Sequence, residues 1–406
     1  MKPHNSKTFA LFLLAAMLAI HVSMAWNSRD LIRKGYPDFT IFYSAGKILR
    51  EGLAAKLYDE ATQYRIQQEF AAGVSIRQGP LPYNHPPFEA LLFVPFTYLP
   101  YFSAYLLWNT INLLILCWLP LLLRPYLPIL RPVPAPLCVF IALAFFPVFI
   151  AFLQGQDIVG LALLFALAYV CLKKEADFSA GCWLGFGLFR FHLVLPFVLI
   201  LFLLKKRRAI LGFLSVALAL VVVSIFIMGW NQALSYPAYV WHVEQTMAQR
   251  MTAVPVGMPN LRGLMDTVLD RALSKPARDL LVALISIGLI ILAASKWRGR
   301  NFDLGFSLAM ITTILVGYHA FAYDLSLLLL PMALLINYSL QQTGLNRRWL
   351  ALFAPFAVLF LTPLHMFLAL HSDRYSLMAL PLIVAAWIIV RKRSRDVMTT
   401  RAADSV

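Results

Sequence analysis

Long apolar segments follow one another through almost the whole chain, and most of them stop at a cluster of lysines or arginines. The clusters are Lys173-Lys174, Lys205 to Arg208, Lys296 to Arg300, Arg347-Arg348 and Arg391 to Arg395. In hydrocarbon, backbone groups must find partners inside the protein, so such a chain can fold only as helices or as a closed barrel. The short alternating strands of a barrel are absent. Composition agrees: 61% of the residues are hydrophobic and 13% charged, where a soluble domain is about half apolar and about a quarter charged. The expected fold is an all-α polytopic membrane protein, one membrane-embedded domain over residues 1–406.

A net charge of +16 would by itself suggest a nucleic-acid partner. The basic residues sit at segment ends, however, which is the positive-inside pattern of a membrane protein. Cys117, Cys138, Cys171 and Cys182 fall inside apolar segments without paired spacing. They read as buried thiols, neither a zinc site nor a disulfide framework. Lys2, Lys7 and Ser23-Met24-Ala25 imitate a signal peptide. The apolar run from Phe9 to Trp26 is long enough to span, and it is expected to stay as an uncleaved first helix.

Placing Lys205 to Arg208 in the cytoplasm orders the remaining segments. Residues 209–229 cross outward, 230–277 lie outside, and 278–296, 303–318, 324–341, 348–369 and 375–390 alternate from there. Working backward, 192–204, 178–190, 156–172, 134–152 and 103–123 alternate as well. The result is about twelve spans with both termini cytoplasmic and a basic cytoplasmic tail at 391–406. Residues 88–99 make only about 18 Å of helix against about 30 Å of hydrocarbon. They are expected as a re-entrant or interfacial helix, with Pro86 and Pro87 in its first turn. The first outer loop, 27–102, should hold a helix at 39–50 whose apolar stripe is Ile41, Phe42, Ala45, Ile48 and Leu49. A second helix should follow Asp59, and both should lie along the membrane surface. Trp230 and Trp241 suit the second outer loop, 230–277, to the interface.

This topology gathers Asp38, His85, Gln154, Gln156, Asp157, Arg190, His192, His242, His319, Asp324, His371 and Asp373 at the outer surface. Ionisable groups near the hydrocarbon are costly and mark functional sites. Each also has an ordinary reading. Asp38 suits a helix cap, His85 a turn before Pro86, Gln154-Gly155-Gln156 a tight interhelical turn, and Tyr318 to Asp324 a polar turn. Arg190 is the hardest to dismiss, because it interrupts an apolar stretch running from Phe178 to Leu204. Together the residues suit one reaction type. A carboxylate takes a proton from a hydroxyl, Arg and His stabilise a phosphate leaving group, and amides bond sugar hydroxyls. No phosphate-binding or dinucleotide glycine motif is present.

Asp38-Phe39-x-x-Phe42-Tyr43-x-Ala45-Gly46, Gly52, Leu57-Tyr58-Asp59, Tyr83-x-His85-Pro86-Pro87 and Gln154-Gly155-Gln156 resemble glycosyltransferase family 87, membrane transferases of the GT-C superfamily. The resemblance runs over about residues 10 to 390 and is strongest over 36–100 and 150–208. It implies a GT-C-type bundle with interfacial helices in the first outer loop. It also implies a mannose-like hexose carried on polyprenyl phosphate and moved to a lipid or glycan acceptor on the outer face of the cytoplasmic membrane. Asp38 takes the place of the essential acid as general base. Arg190, in Gly181-x-x-x-Gly185-x-Gly187-x-x-Arg190, and His319 fall to the donor phosphate; His85, Gln154, Gln156, Tyr323 and Asp324 fall to the substrate. The scheme requires no cofactor and no metal. Phe191 stands where many relatives carry proline after the cation. Two other classes remain open at this point, a transporter or flippase of a lipid-linked sugar and a non-catalytic scaffold.

Overall fold

The structure is a computed structural model that describes residues 3–71, 81–249, 255–342 and 347–391. The basic tail beyond Arg391 lies outside the described residues. Every described element is helical. Six helices are long and apolar enough to cross a membrane, among them Thr8–Asn27, Tyr101–Leu123, Arg207–Met228 and Lys275–Trp297, and a bent pair makes a seventh. That pair, Ala135–Leu143 and Phe146–Gln154, turns through 79° at its break. The expected count of about twelve is not shown. Several segments counted as passes are short helices, such as Ile158–Lys173 with 16 residues and Phe302–Val316 with 15, where a full crossing takes about 20.

The apolar run carrying Arg190 is the clearest case. Asp177–Leu203 qualifies as one span by length and composition. Yet Asp177 at its start pairs with Lys206 just beyond its end, at 3.1 Å. A straight helix of that length would hold those ends about 40 Å apart. The run is instead a hairpin of Asp177–Phe186 and Phe191–Leu203, joined by a tighter turn over Gly187–Arg190. Its first arm packs backbone-close along Arg207–Met228. A Cβ on Gly181 would collide with the Ala209 carbonyl, and one on Gly212 with that of Phe178. The close approach explains the glycine spacing in the run.

Contacts sort the helix ends into two layers. In one, Lys173 reaches Asp303 at 2.9 Å, Lys206 meets Asp177, Arg298 donates to the Leu203 carbonyl and Arg300 to those of Ile389 and Val390. These basic residues therefore share a face, as the charge pattern requires. Ile158–Lys173 and Phe302–Val316 climb from it to the second layer, about 24 and about 22 Å away. Arg190 sits in that second layer at the hairpin tip.

Phe39–Arg50 forms where the apolar stripe places it, and Glu60–Ala71 follows Asp59. The expectation that these helices lie on a membrane surface needs correction for the first. Phe39–Arg50 is buried on nearly all sides, because Pro87–Phe93 and the tight turns of Val94–Tyr98 fold over it. Phe42 stacks on Phe93 at 4.7 Å, and Gly46 lies against the Phe93 backbone. The short segment starts at Pro87, as its proline pair dictates. The second loop contains a 20-residue helix, Trp230–Gln249. Its exposed Trp230, Leu234 and Trp241 share one side of the helix.

Candidate active site

Gln154-Gly155-Gln156 ends the second arm of the bent pair. Gly155 adopts a left-handed conformation, φ 63°, and a Cβ there would meet that of Phe39 at 2.8 Å. Only glycine suits both demands, and the result presses the turn against the start of Phe39–Arg50. Both glutamines then grip Asp38. Gln154 Oε1 accepts the Asp38 backbone N–H at 3.0 Å, and Gln156 Nε2 donates to Asp38 Oδ2 at 2.7 Å. Asp38 occupies the cap position of its helix but makes no side-chain cap bond. Its carboxylate turns to Gln156 instead.

The other end of the Gln156 amide accepts from Arg190 Nη2. A guanidinium only donates and a carboxylate only accepts, so the amide has one orientation between them. Arg190 is 2% exposed and fully engaged. Its Nε donates to Asp157 Oδ1 at 2.8 Å and its Nη1 to Asp324 Oδ1 at 3.3 Å, while Tyr323 lies beneath it at 5.1 Å. Asp324 also accepts the Phe321 backbone N–H at 2.7 Å, which holds the Tyr318-to-Asp324 turn. A buried cation survives by such pairing.

His85 adds a second arm to the cluster. Its Nδ1 lies 2.7 Å from Glu89 Oε2 and 3.7 Å from Asp157 Oδ2. Burial, reinforced by the charges of Arg190 and His319, pushes His85 down to about 3 against the pull of Asp157. Burial and then the Asp157 charge raise Glu89 well above the usual carboxylate range. Burial would raise Asp157 too, but the Arg190 charge beside it prevails and holds it low. On the far side, His319 Nδ1 is 3.2 Å from Glu244 Oε2, and Arg262 holds Glu244 at 2.7 Å. Burial opposes ionisation of Glu244, yet His319 and Arg262 bring it down to about 2.

These groups surround a cavity of about 1300 Å³. Asp38, His85, Gln154, Gln156, Arg190, His319 and Tyr323 all reach its wall, so seven of the eight residues singled out from the sequence converge there; Asp324 stands behind Arg190. His192, Glu244 and Asp373 also line it, while His242 and His371 do not. Met24, Ile150, Met366 and Leu370 make another part of the wall apolar. Glu89, Glu244 and Arg262 were not singled out. The four-residue step from His85 to Glu89 across a proline-started helix was a usable signal. Glu244 and Arg262 become meaningful only when folding brings them to His319.

A buried ionic cluster beside a large cavity, part polar and part apolar, in a multi-pass helical membrane protein has the character of a ligand site. The chain belongs to glycosyltransferase family 87, whose family model matches residues 83–331, and is accordingly a membrane glycosyltransferase of the GT-C type. No match was found among curated proteins or among solved structures.

Proposed function

We propose that this transferase moves a mannose-like hexose from a polyprenyl-phosphate donor to a lipid or glycan acceptor, with inversion, on the face of the cytoplasmic membrane opposite the basic clusters. One observation carries the reading: a carboxylate at the cavity wall, Asp38, is fixed through both its backbone and its side chain by Gln154 and Gln156. A base needs that fixed geometry more than a sugar clamp does. The two glutamines are therefore assigned to positioning the base, a change from the sugar contacts expected of them.

In the reaction, the acceptor O–H gives its proton to Asp38 and its oxygen bonds to the anomeric carbon. The bond from that carbon to the donor phosphate oxygen breaks, and polyprenyl phosphate leaves with the electron pair. Arg190, committed to Asp157, Asp324 and Gln156, keeps that network ionised and lends its field to the phosphate. Direct hydrogen bonding to the phosphate falls to His319, with His192 beside it at 6.0 Å between ring centroids. His85 and Tyr323 remain as walls of the sugar pocket. The apolar wall around Met24, Ile150 and Leu370 suits the prenyl chain. The site lies beside a broken helix pair, as transporter sites do, so a helix break does not separate the two classes; family membership favours transfer.

The test is incubation of the purified protein with a panel of polyprenyl-phosphate hexoses and a lipid acceptor. One donor should be consumed, and its sugar should appear in product with the opposite anomeric configuration. Retained configuration, or consumption of nucleotide sugars in preference, would overturn the proposal.

A further inference from the structure

Behind His85, the carboxyl groups of Glu89 and Asp157 face each other, and neither lines the cavity. Glu89 is 4% exposed and Asp157 3%. Glu89 Oε1 and Asp157 Oδ2 are buried and receive no hydrogen bond from any N–H or hydroxyl; the two carboxyl groups have only each other. Orphaned buried acceptors are rare in folded proteins and call for a specific explanation.

Charge points the same way. Three buried carboxyl groups, Glu89, Asp157 and Asp324, stand beside one buried guanidinium, Arg190, which pairs with Asp157 and Asp324 while Glu89 meets His85. The nearby Arg262 is spent on Glu244. With all three carboxylates ionised, the cluster lacks two positive charges. One proton held between Glu89 and Asp157 supplies only half of that; a divalent cation supplies all of it.

The geometry fits an ion. Among the described residues, ligand atoms of His85, Glu89 and Asp157 all lie within 4.8 Å of one another. His85 Nδ1 is 2.7 Å from one carboxylate and 3.7 Å from the other. Ligands about 2.1 Å from a common ion stand roughly 3.0–3.5 Å apart, so small side-chain shifts suffice. One imidazole and two carboxylates suit Mn²⁺ or Zn²⁺; Mg²⁺ and Ca²⁺ prefer oxygen throughout.

We propose that His85 Nδ1, Glu89 and Asp157 form a divalent-cation site that neutralises the Arg190 cluster and locks it beside the cavity. The ion acts on the cluster, not on the sugar. Asp157 bridges it to Arg190, which orients Gln156 and through it Asp38.

The test uses the full-length protein in nanodiscs, purified without a polyhistidine tag. Elemental analysis should find about one Mn or Zn per chain. Chelation should lower the melting temperature, and Mn²⁺ or Zn²⁺ should restore it. Pulsed EPR of added Mn²⁺ should show coupling to one imidazole nitrogen, lost in His85→Phe. Glu89→Gln, which keeps the side-chain volume, should weaken Mn²⁺ binding by about tenfold or more. Wild-type protein with no stoichiometric ion and no chelator-reversible change in melting temperature would overturn the site. These readouts need no sugar transfer, so they stand or fall apart from the proposed reaction.

Discussion

Two buried ionic groups sit at opposite ends of the same helices, and they are built differently. At the basic face, Lys173 meets Asp303 at 2.9 Å, the Tyr169 hydroxyl donates to the same carboxylate at 2.9 Å, and Asn337 reaches its other oxygen at 3.4 Å. One cation balances one anion, and both carboxylate oxygens have donors. At the cavity end, one guanidinium stands among three buried carboxyl groups and pairs with two of them, and one oxygen each of Glu89 and Asp157 receives no N–H or hydroxyl donor. Both groups face the cost of leaving water. The first offsets it locally and fastens Ile158–Lys173 to Phe302–Val316. The second is left with an excess of negative charge next to a cavity, and unbalanced charge of that kind marks a working site.

The comparison breaks most sharply by removing each cation. Arg190→Met strands Asp157 and Asp324 in a buried setting and should destabilise the protein by about 3–5 kcal/mol. Thermal unfolding in nanodiscs, or loss of accumulated protein, measures it. Lys173 retains 31% side-chain exposure, so Lys173→Met should cost only about 1 kcal/mol and leave transfer unchanged. Equal losses would erase the distinction between the two ends.

Next in size is Gln156→Leu. It removes the donor that holds the Asp38 carboxylate, so kcat should fall on the order of 10²-fold with KM little changed, measured in steady-state transfer. A rise in KM at constant kcat would return Gln156 to sugar binding. The smallest effect concerns Glu244. Its folded pKa of about 2 lies below the ordinary 4.5, so its ion pair stabilises the fold above about pH 4.5, and that stability fades as pH falls toward 2. The melting-temperature gap between wild type and Glu244→Gln should therefore narrow as pH falls from about 4.5 toward 2. A gap that widens on acidification would reverse the sign.

Local signals in the chain proved the most legible. The stripe from Ile41 to Ile48 starts and stops a helix where it should, Pro86-Pro87 opens the short helix, and Gln154-Gly155-Gln156 forms the tight turn. Lys173, Lys206, Arg298 and Arg300, from three of the basic clusters, collect on one face. Apolarity, however, reports removal from water without saying whether lipid or protein does the covering. Phe39–Arg50 therefore reads as a surface helix from its stripe, although it is packed inside. Roles also escaped where partners are distant in sequence. Gln156 and Asp38 are 118 positions apart, and no spacing rule reveals that the amide holds the carboxylate.

The most direct measurement is single-turnover transfer by Asp38→Asn, in protein whose melting temperature matches wild type. The substitution keeps the shape of the side chain and removes its basicity. Transfer should slow by about 10²–10⁴-fold while donor binding persists. Transfer at the wild-type rate would show that Asp38 is not the base and that the grip of Gln154 and Gln156 serves the fold alone.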